Sequence, residues 1–162
     1  MTDYEYMRLA LEDAEEAFKE GEVPVGAVLV LNDGSLVRAH NMRETGFDPT
    51  AHAEILAIRG GALRLSNWRL TDAVLYVTKE PCVMCAGAML NSRLGRLVYG
   101  CSDLKGGAVG SLYRLLSDSR LNHRVEVLSG ILEDECAQLL KNFFSGLRSN
   151  SEVGGSCGTS AR

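Results

Sequence analysis

Near the start of the chain, Met7, Ala10, Leu11, Ala14, Ala17 and Phe18 recur at helical spacing, behind a Thr2–Glu5 capping-box pair and ahead of Gly21. A first amphipathic helix is expected there. The period then changes: Val25 to Leu31 is apolar and β-rich, Asn32-Asp33-Gly34 is a turn signal, and Leu36 to Asn41 resumes an extended run, so a hairpin follows. Asp48-Pro49 has the form of an N-cap with proline at the first helical position, which predicts a second helix carrying His52 in its opening turn. Ala73 to Thr78 reads as a buried strand, Pro81 opens a helix through Leu90, and Leu94 to Gly100 reads as the next strand. Beyond the glycine-rich loop at Gly106-Gly107 come a helical patch from Ser111 to Leu116, a strand around Val125 to Leu128 and a helix from Glu133 to Leu147. Strands alternating with helices behind an opening hairpin predict an α/β sandwich, one mixed sheet with helices on both faces.

At 162 residues and 46% hydrophobic content, the chain has the size and apolar supply of one globular domain, expected over residues 1–148. Residues 149–162 lack core positions, and their Gly/Ser-rich composition predicts a flexible tail in which Cys157 is incidental. A chain of this length buries roughly 70% of the surface it exposes when unfolded, so no disulfide framework is needed. The five cysteines remain available for chemistry. Their odd number, with Asp3, Glu5 and Glu12 where a signal peptide would run basic and then apolar, points to the cytoplasm. Val23 to Leu31, the longest apolar stretch, is too short for a membrane span and is broken by Pro24 and Gly26. No membrane role is expected.

The net charge of -4 argues against a strong general affinity for nucleic acid, but the halves differ. Residues 1–80 carry 14 acidic and 8 basic side chains, whereas residues 81–162 carry 7 and 9. The second half could present a basic face, or Arg93, Arg96, Lys105, Arg114 and their like could be ordinary solvated charges. Charge alone does not choose a partner.

Two short motifs stand where a strand hands over to a helix, the place where open α/β sheets gather ligands. One is His52-Ala53-Glu54, and the other is Pro81-Cys82-Val83-Met84-Cys85. Thiols three residues apart meet on one face of a first helical turn, and the helix N-terminus favours thiolate, the form that binds zinc. One imidazole and two thiolates make three ligands without an evident fourth, the pattern of a catalytic zinc site rather than a structural one. Zinc lowers the pKa of bound water from about 15.7 to about 7, which makes a hydroxide nucleophile available at neutral pH. Glu54 is the candidate proton carrier beside it. Residues two apart on a regular helix diverge by about 200°, so spacing does not explain how His52 and Glu54 would serve one site.

Each feature has a plainer alternative. His52 alone could be a hydrogen-bonded surface or cap histidine. Cys82 and Cys85 could form a redox dithiol, although such a site has no use for His-x-Glu, and here proline precedes the first cysteine rather than standing between the two. Cys101 and Cys136 read as buried small apolar residues.

His-x-Glu followed by Pro-Cys-x-x-Cys is the signature of the zinc nucleobase deaminases. The chain resembles that superfamily, the zinc-dependent cytidine/deoxycytidylate deaminases, and within it the bacterial family of tRNA-specific adenosine deaminases. The resemblance runs from about Asp3 to Arg148. It takes in Glu22-Val23-Pro24-Val25-Gly26-Ala27, Asn41, Asp48 to Glu54 and Glu80 to Ala88, then Ser92-Arg93, Asp103, Lys105-Gly106-Gly107, Gly110-Ser111, Asn122-His123 and Phe143-Phe144.

This resemblance implies a three-layer α/β/α, cytidine deaminase-like fold with a central mixed five-stranded sheet. It implies hydrolysis of adenosine to inosine at the wobble position of a tRNA anticodon stem-loop, by a homodimer with one zinc ion per subunit. His52, Cys82 and Cys85 would hold the metal, and Glu54 would be catalytic. Asn41 would hydrogen-bond the flipped base, Val25 would wall its pocket, and the Ala53 backbone would meet its edge. Asp103, Lys105, His123 and Phe144 fall where anticodon-loop contacts are expected. An anticodon loop suits such an enzyme because its bases can be splayed out at little unstacking cost. The chain departs from the family pattern in lacking a Lys/Arg-rich C-terminal tail and in placing Leu104 and Tyr113 where other residues are expected.

Competing classes make separable predictions. A deaminase of a free base or nucleoside, such as cytosine, cytidine or guanine, would keep the zinc set and Glu54 without needing the Asp103 to Phe144 surface. A thiol redox protein would oxidise Cys82 and Cys85 without metal. A non-catalytic RNA-binding module would be indifferent to loss of Glu54.

Overall fold

A computed structural model describes residues 1–153. In chain order its elements are α1 (Asp3–Lys19), β1 (Gly26–Val30), β2 (Leu36–His40), α2 (Ala53–Leu65), β3 (Val74–Lys79), α3 (Val83–Asn91), β4 (Arg96–Cys101), β5 (Glu126–Ser129) and α4 (Glu133–Val153). The strands form one five-stranded mixed sheet in the order β2-β1-β3-β4-β5. β1 runs antiparallel to both β2 and β3, while β3, β4 and β5 are mutually parallel.

Strand alternation divides the core into two layers. Ala27, Leu29, Leu75, Val77, Leu97 and Tyr99 pack with α2 and α3 on one face. Val28, Tyr76 and Val98 pack on the other face with Met7, Ala10 and Leu11 of α1 and Cys136 of α4. The result is the expected α/β/α sandwich. The inner strands β3 and β4 are covered on both faces, which is why they read as continuous apolar runs rather than alternating ones.

The Thr2–Glu5 capping box that starts α1 is formed by reciprocal hydrogen bonds of 2.6 and 3.2 Å. Gly21, at φ 79°, ends the segment in the left-handed conformation, and the next amide, Glu22 N, returns to the Ala17 carbonyl. The alanines of α1 let β1 approach closely: a Cβ at Gly26 would run into the Ala10 carbonyl oxygen.

Three segments differ from expectation. α2 begins at Ala53 with His52 as its N-cap, not at Asp48-Pro49. Asp48 Oδ1 instead accepts from the Thr50 amide and hydroxyl at 2.8 and 2.7 Å, closing a local turn with the same residue chemistry as a cap. The helical patch from Ser111 to Leu116 is reduced to a 3-10 turn at Leu115–Ser117. The last helix does not stop at Leu147 but runs to Val153, with the Ser149 and Ser151 hydroxyls bonding back to the carbonyls of Ser145 and Arg148. Residues 149–153 of the expected tail are therefore helical, and residues 154–162, Cys157 among them, lie outside the described residues. No helix among the described residues is long and apolar enough to cross a membrane.

Candidate active site

Antiparallel and parallel pairing together bring several chain segments to one sheet edge. Because β1 starts where β2 and β3 end, the ladder step beyond Gly26↔His40 sets Val25 beside Asn41, whose amide donates to the Val25 carbonyl at 3.0 Å. The end of β3 delivers Lys79 and Glu80 to the same edge, and the N-termini of α2 and α3 point His52 and Cys82 at it. A cleft of about 270 Å³ opens there. It is lined by Val23, Val25, Asn41 and Arg43 from the β1 and β2 ends, by His52, Glu54 and Cys82 from the starts of α2 and α3, and by Lys79, Glu80, Asp103 and Phe144. A larger groove between α1 and α4, about 670 Å³, holds only a solvated Arg8–Glu135 pair and other helix-surface side chains, and no converging chemical group.

His52, Cys82 and Cys85 form a group whose ligand atoms all lie within 4.8 Å of one another, and this group could hold a metal ion. His52 Nδ1 stands 3.6 Å from each sulfur. The Cys82 thiol is pushed down to about 3, first by its hydrogen bond with the Cys85 thiol and then, against the opposing effect of burial, by the His52 imidazole. Cys85 is pushed up by the same Cys82 contact, by burial and by the nearby Glu54. One sulfur is thus a ready thiolate, and the other surrenders its proton when a cation replaces it. An imidazole nitrogen and two sulfurs on rigid helix starts fit a borderline-soft divalent ion. No fourth His, Cys, Asp or Glu joins the group among the described residues.

The convergence of His52 and Glu54 has a simple backbone explanation. His52 is extended at φ -72°, ψ 150°, and the helix begins only after it, so the 200° divergence of a regular helix does not apply. Glu54 is buried, and burial in the cleft raises its carboxyl above the usual range. A carboxyl poised nearer neutrality can both take and give a proton.

Two further buried carboxylates flank the site, and their roles were not legible in the sequence. Glu22 accepts from Asn41 Nδ2 at 3.3 Å, from the Thr45 amide at 2.7 Å and from the Thr45 hydroxyl at 3.0 Å. Burial alone would raise its pKa, but the Thr45 and Glu44 amides and the Thr45 hydroxyl outweigh burial and hold it below the usual range. Glu80 accepts from the hydroxyls of Ser111 at 2.8 Å and Tyr99 at 3.4 Å, tying β4 to the loop that carries Gly107. Arg43 and Lys79 also line the cleft without having been anticipated, since neither belongs to a motif.

Among the residues singled out beforehand, Val25, Asn41, His52, Glu54, Cys82, Asp103 and Phe144 all line the cleft. Ala53 is fully buried between His52 and Glu54. Asp103 pairs with Lys79 at 2.9 Å and accepts from the Lys105 and Gly106 amides. Lys105 and Phe144 border an adjoining groove of about 760 Å³ together with Leu104, Leu147 and Arg148. His123 lines neither feature: its Nε2 is 2.8 Å from the Leu94 carbonyl oxygen, in the loop before β5. Cys101 and Cys136 are buried thiols pushed up to about 11 and about 12 by burial, as inert core residues should be.

The family model described as MafB19-like deaminase matches residues 1–148. A tRNA-specific adenosine deaminase of Bacillus subtilis is 49% identical over 148 residues, covering 91% of this chain and 92% of that protein. Its namesake in Haemophilus influenzae is 49% identical over 152 residues, 93% of this chain and 88% of that protein. A solved structure from work on tRNA:A34 deaminases acting at the wobble position of transfer RNA superposes with a TM-score of 0.79 and 46% identity, covering 83% of this chain and 98% of that one.

Proposed function

This chain belongs to the tRNA-specific adenosine deaminases, within the MafB19-like deaminases, and from that membership we propose that it hydrolyses adenosine to inosine at the wobble position of a tRNA anticodon. The observation that carries the proposal is that the His52, Cys82 and Cys85 group reaches, through His52 and Cys82, the same base-sized cleft that the buried Glu54 lines. His52, Cys82 and Cys85 hold one zinc ion per subunit, which when bound supplies the Lewis acidity that readies water for attack at neutral pH.

The protein's own groups then manage the base and its protons. Asn41 hydrogen-bonds the flipped adenine, Val25 walls it, and the Ala53 backbone meets its edge. Glu54 takes the proton released as the water oxygen bonds to C6 and delivers it to N1. It next takes the proton of the new C6 hydroxyl and gives it to the exocyclic nitrogen, so that the C6–N6 bond breaks, the C6 carbonyl forms, and ammonia departs.

Asp103, Lys105 and Phe144 contact the anticodon loop from the adjoining groove, where exposed Leu104, Phe144 and Leu147 suit stacked bases and cationic Lys105 and Arg148 suit phosphates. His123 joins the same surface only if the loop reaches toward β5. A cytoplasmic homodimer acting on tRNA completes the proposal. Sedimentation of the purified zinc form at twice the monomer mass is the expected oligomeric result.

The test is mass spectrometry on zinc-loaded protein offered an anticodon stem-loop with a wobble adenosine beside free adenosine, cytidine, cytosine and guanine. Conversion of the stem-loop alone is expected. Turnover of a free base or nucleoside with an inert stem-loop would instead make the protein a small-substrate deaminase with the same zinc chemistry.

A further inference from the structure

Glu22 is a fully buried carboxylate that the deamination chemistry does not use. It sits just past the end of α1, where its amide is fixed on the Ala17 carbonyl at 2.9 Å. Its two oxygens divide their work: Oε2 accepts from Asn41 Nδ2, while Oε1 accepts from the amide and hydroxyl of Thr45. Asn41 is itself nearly fully buried, held by its amide on Val25, and its side chain lines the cleft.

An ionised carboxylate only accepts hydrogen bonds, so it admits one orientation of the Asn41 amide, with the NH₂ turned toward Glu22. The second N–H and Oδ1 of Asn41 are left for a base in the cleft. The same carboxylate ties down Thr45, and Met42 N bonds to the Ala51 carbonyl at 3.0 Å, so the loop carrying Arg43 between β2 and His52 is anchored at both ends.

We propose that Glu22 is a positioning residue for the reaction: its contact with Asn41 sets which face of that amide meets the target base, and its contacts with Thr45 fix the carboxylate in the place from which it does so. The proposal rests on the assignment of Asn41 as a base contact. Glu22→Gln keeps the shape of the side chain but adds an NH₂ where only acceptors stood. The Asn41 amide is then no longer confined to one orientation.

A double-mutant cycle tests this, using the zinc-loaded full chain, the wobble-adenosine stem-loop, and the variants Glu22→Gln, Asn41→Ala and both together. Glu22→Gln should lower kcat/KM by about 10- to 100-fold, the scale of one misdirected charge-assisted hydrogen bond, with zinc content unchanged. In the Asn41→Ala background the same change should cost less than about threefold, because there is no amide left to orient. A full additive loss would overturn the positioning role, as would a Glu22→Gln variant of undiminished kcat/KM. If Glu22→Gln does not fold, Thr45→Val loosens the same carboxylate while leaving the Asn41 contact in place. Its smaller loss must likewise shrink beside Asn41→Ala, and an undiminished loss there also overturns the proposal. Full activity of Asn41→Ala would remove the base contact and the positioning role together. An unmodified enzyme inert on the stem-loop would overturn the proposed reaction itself, and the positioning role with it.

Discussion

His52 and Cys82, thirty residues apart in the chain, are each the N-cap of a helix, and their side chains meet with Nδ1 and Sγ 3.6 Å apart. Both caps are extended, so each side chain leaves the helix axis at its very start, where the partial positive charge of the peptide dipoles favours a thiolate. The candidate metal group is therefore a meeting of two helix starts, and its geometry is only as firm as the packing of α2 against α3.

Removing one member should empty the group. Cys82→Ser is expected to lower zinc content at least about tenfold by elemental analysis and to lower the melting temperature, since ligand binding to the folded state adds to its stability. Cys101→Ala, which alters a buried thiol outside the group, should keep full zinc content. Equal zinc in Cys82→Ser and the unmodified protein would mean the ligand set is wrong.

Glu54→Gln separates proton transfer from metal binding. The amide cannot carry the proton, so kcat should fall about 10²- to 10⁴-fold while zinc content stays unchanged. Because the native carboxyl is buried and its charged form disfavoured there, the amide should leave thermal stability equal or raised. Loss of zinc in this variant would reassign Glu54 as a ligand.

Gly107 and Gly146 make opposite predictions for the same substitution. A Cβ at Gly107 would run into the Glu80 carboxylate and stand 2.6 Å from the Asp103 carbonyl oxygen. Gly107→Ala should therefore cost about 1–3 kcal/mol in denaturant unfolding and reduce kcat/KM by shifting the loop on the cleft rim. At Gly146, within α4, an added Cβ meets nothing within 4 Å, and Gly146→Ala should stabilise by about 0.5–1 kcal/mol. A neutral Gly107→Ala would show that the Glu80 clamp yields easily.

Acid sensitivity should trace in part to Asp3. Its oxygens accept from Arg96 at 3.1 Å each and from the Tyr76 hydroxyl at 2.7 Å, and these bonds, Arg96 foremost, hold the carboxyl below the usual range. A depressed folded value means the stabilisation is present above the unfolded value and lost as pH falls through the folded one. Asp3→Asn should melt a few degrees lower at pH 7, about 2–4 °C for a pair worth about 1 kcal/mol, with the gap closing below about pH 4. A gap that persists unchanged into strong acid would place the stabilisation elsewhere.

Much of the fold was legible because local chemistry and global packing agree. The α1 face from Met7 to Ala17 and the turn at Asn32-Asp33-Gly34 appear where the pattern places them. Asp48-Pro49 misled for a physical reason: aspartate followed by proline serves a tight turn as well as a helix start, and only the Thr50 hydrogen bonds choose between them. The C-terminal serines misled similarly, because their hydroxyls can satisfy helix carbonyls as well as break a helix.

By itself the sequence determined the element order, the two-sided sheet and which side chains are candidates for the metal group and the proton carrier, because periodicity and short motifs are local properties. Tertiary structure alone decided how these groups meet. Strand register put Val25 beside Asn41, an extended cap turned His52 and Glu54 into one site, and burial drew Glu22 onto Asn41 and Thr45 from across the fold. Those contacts join residues 16 or more positions apart, or depend on where a helix starts, and a buried carboxylate acquires a role only from the donors that packing brings to it.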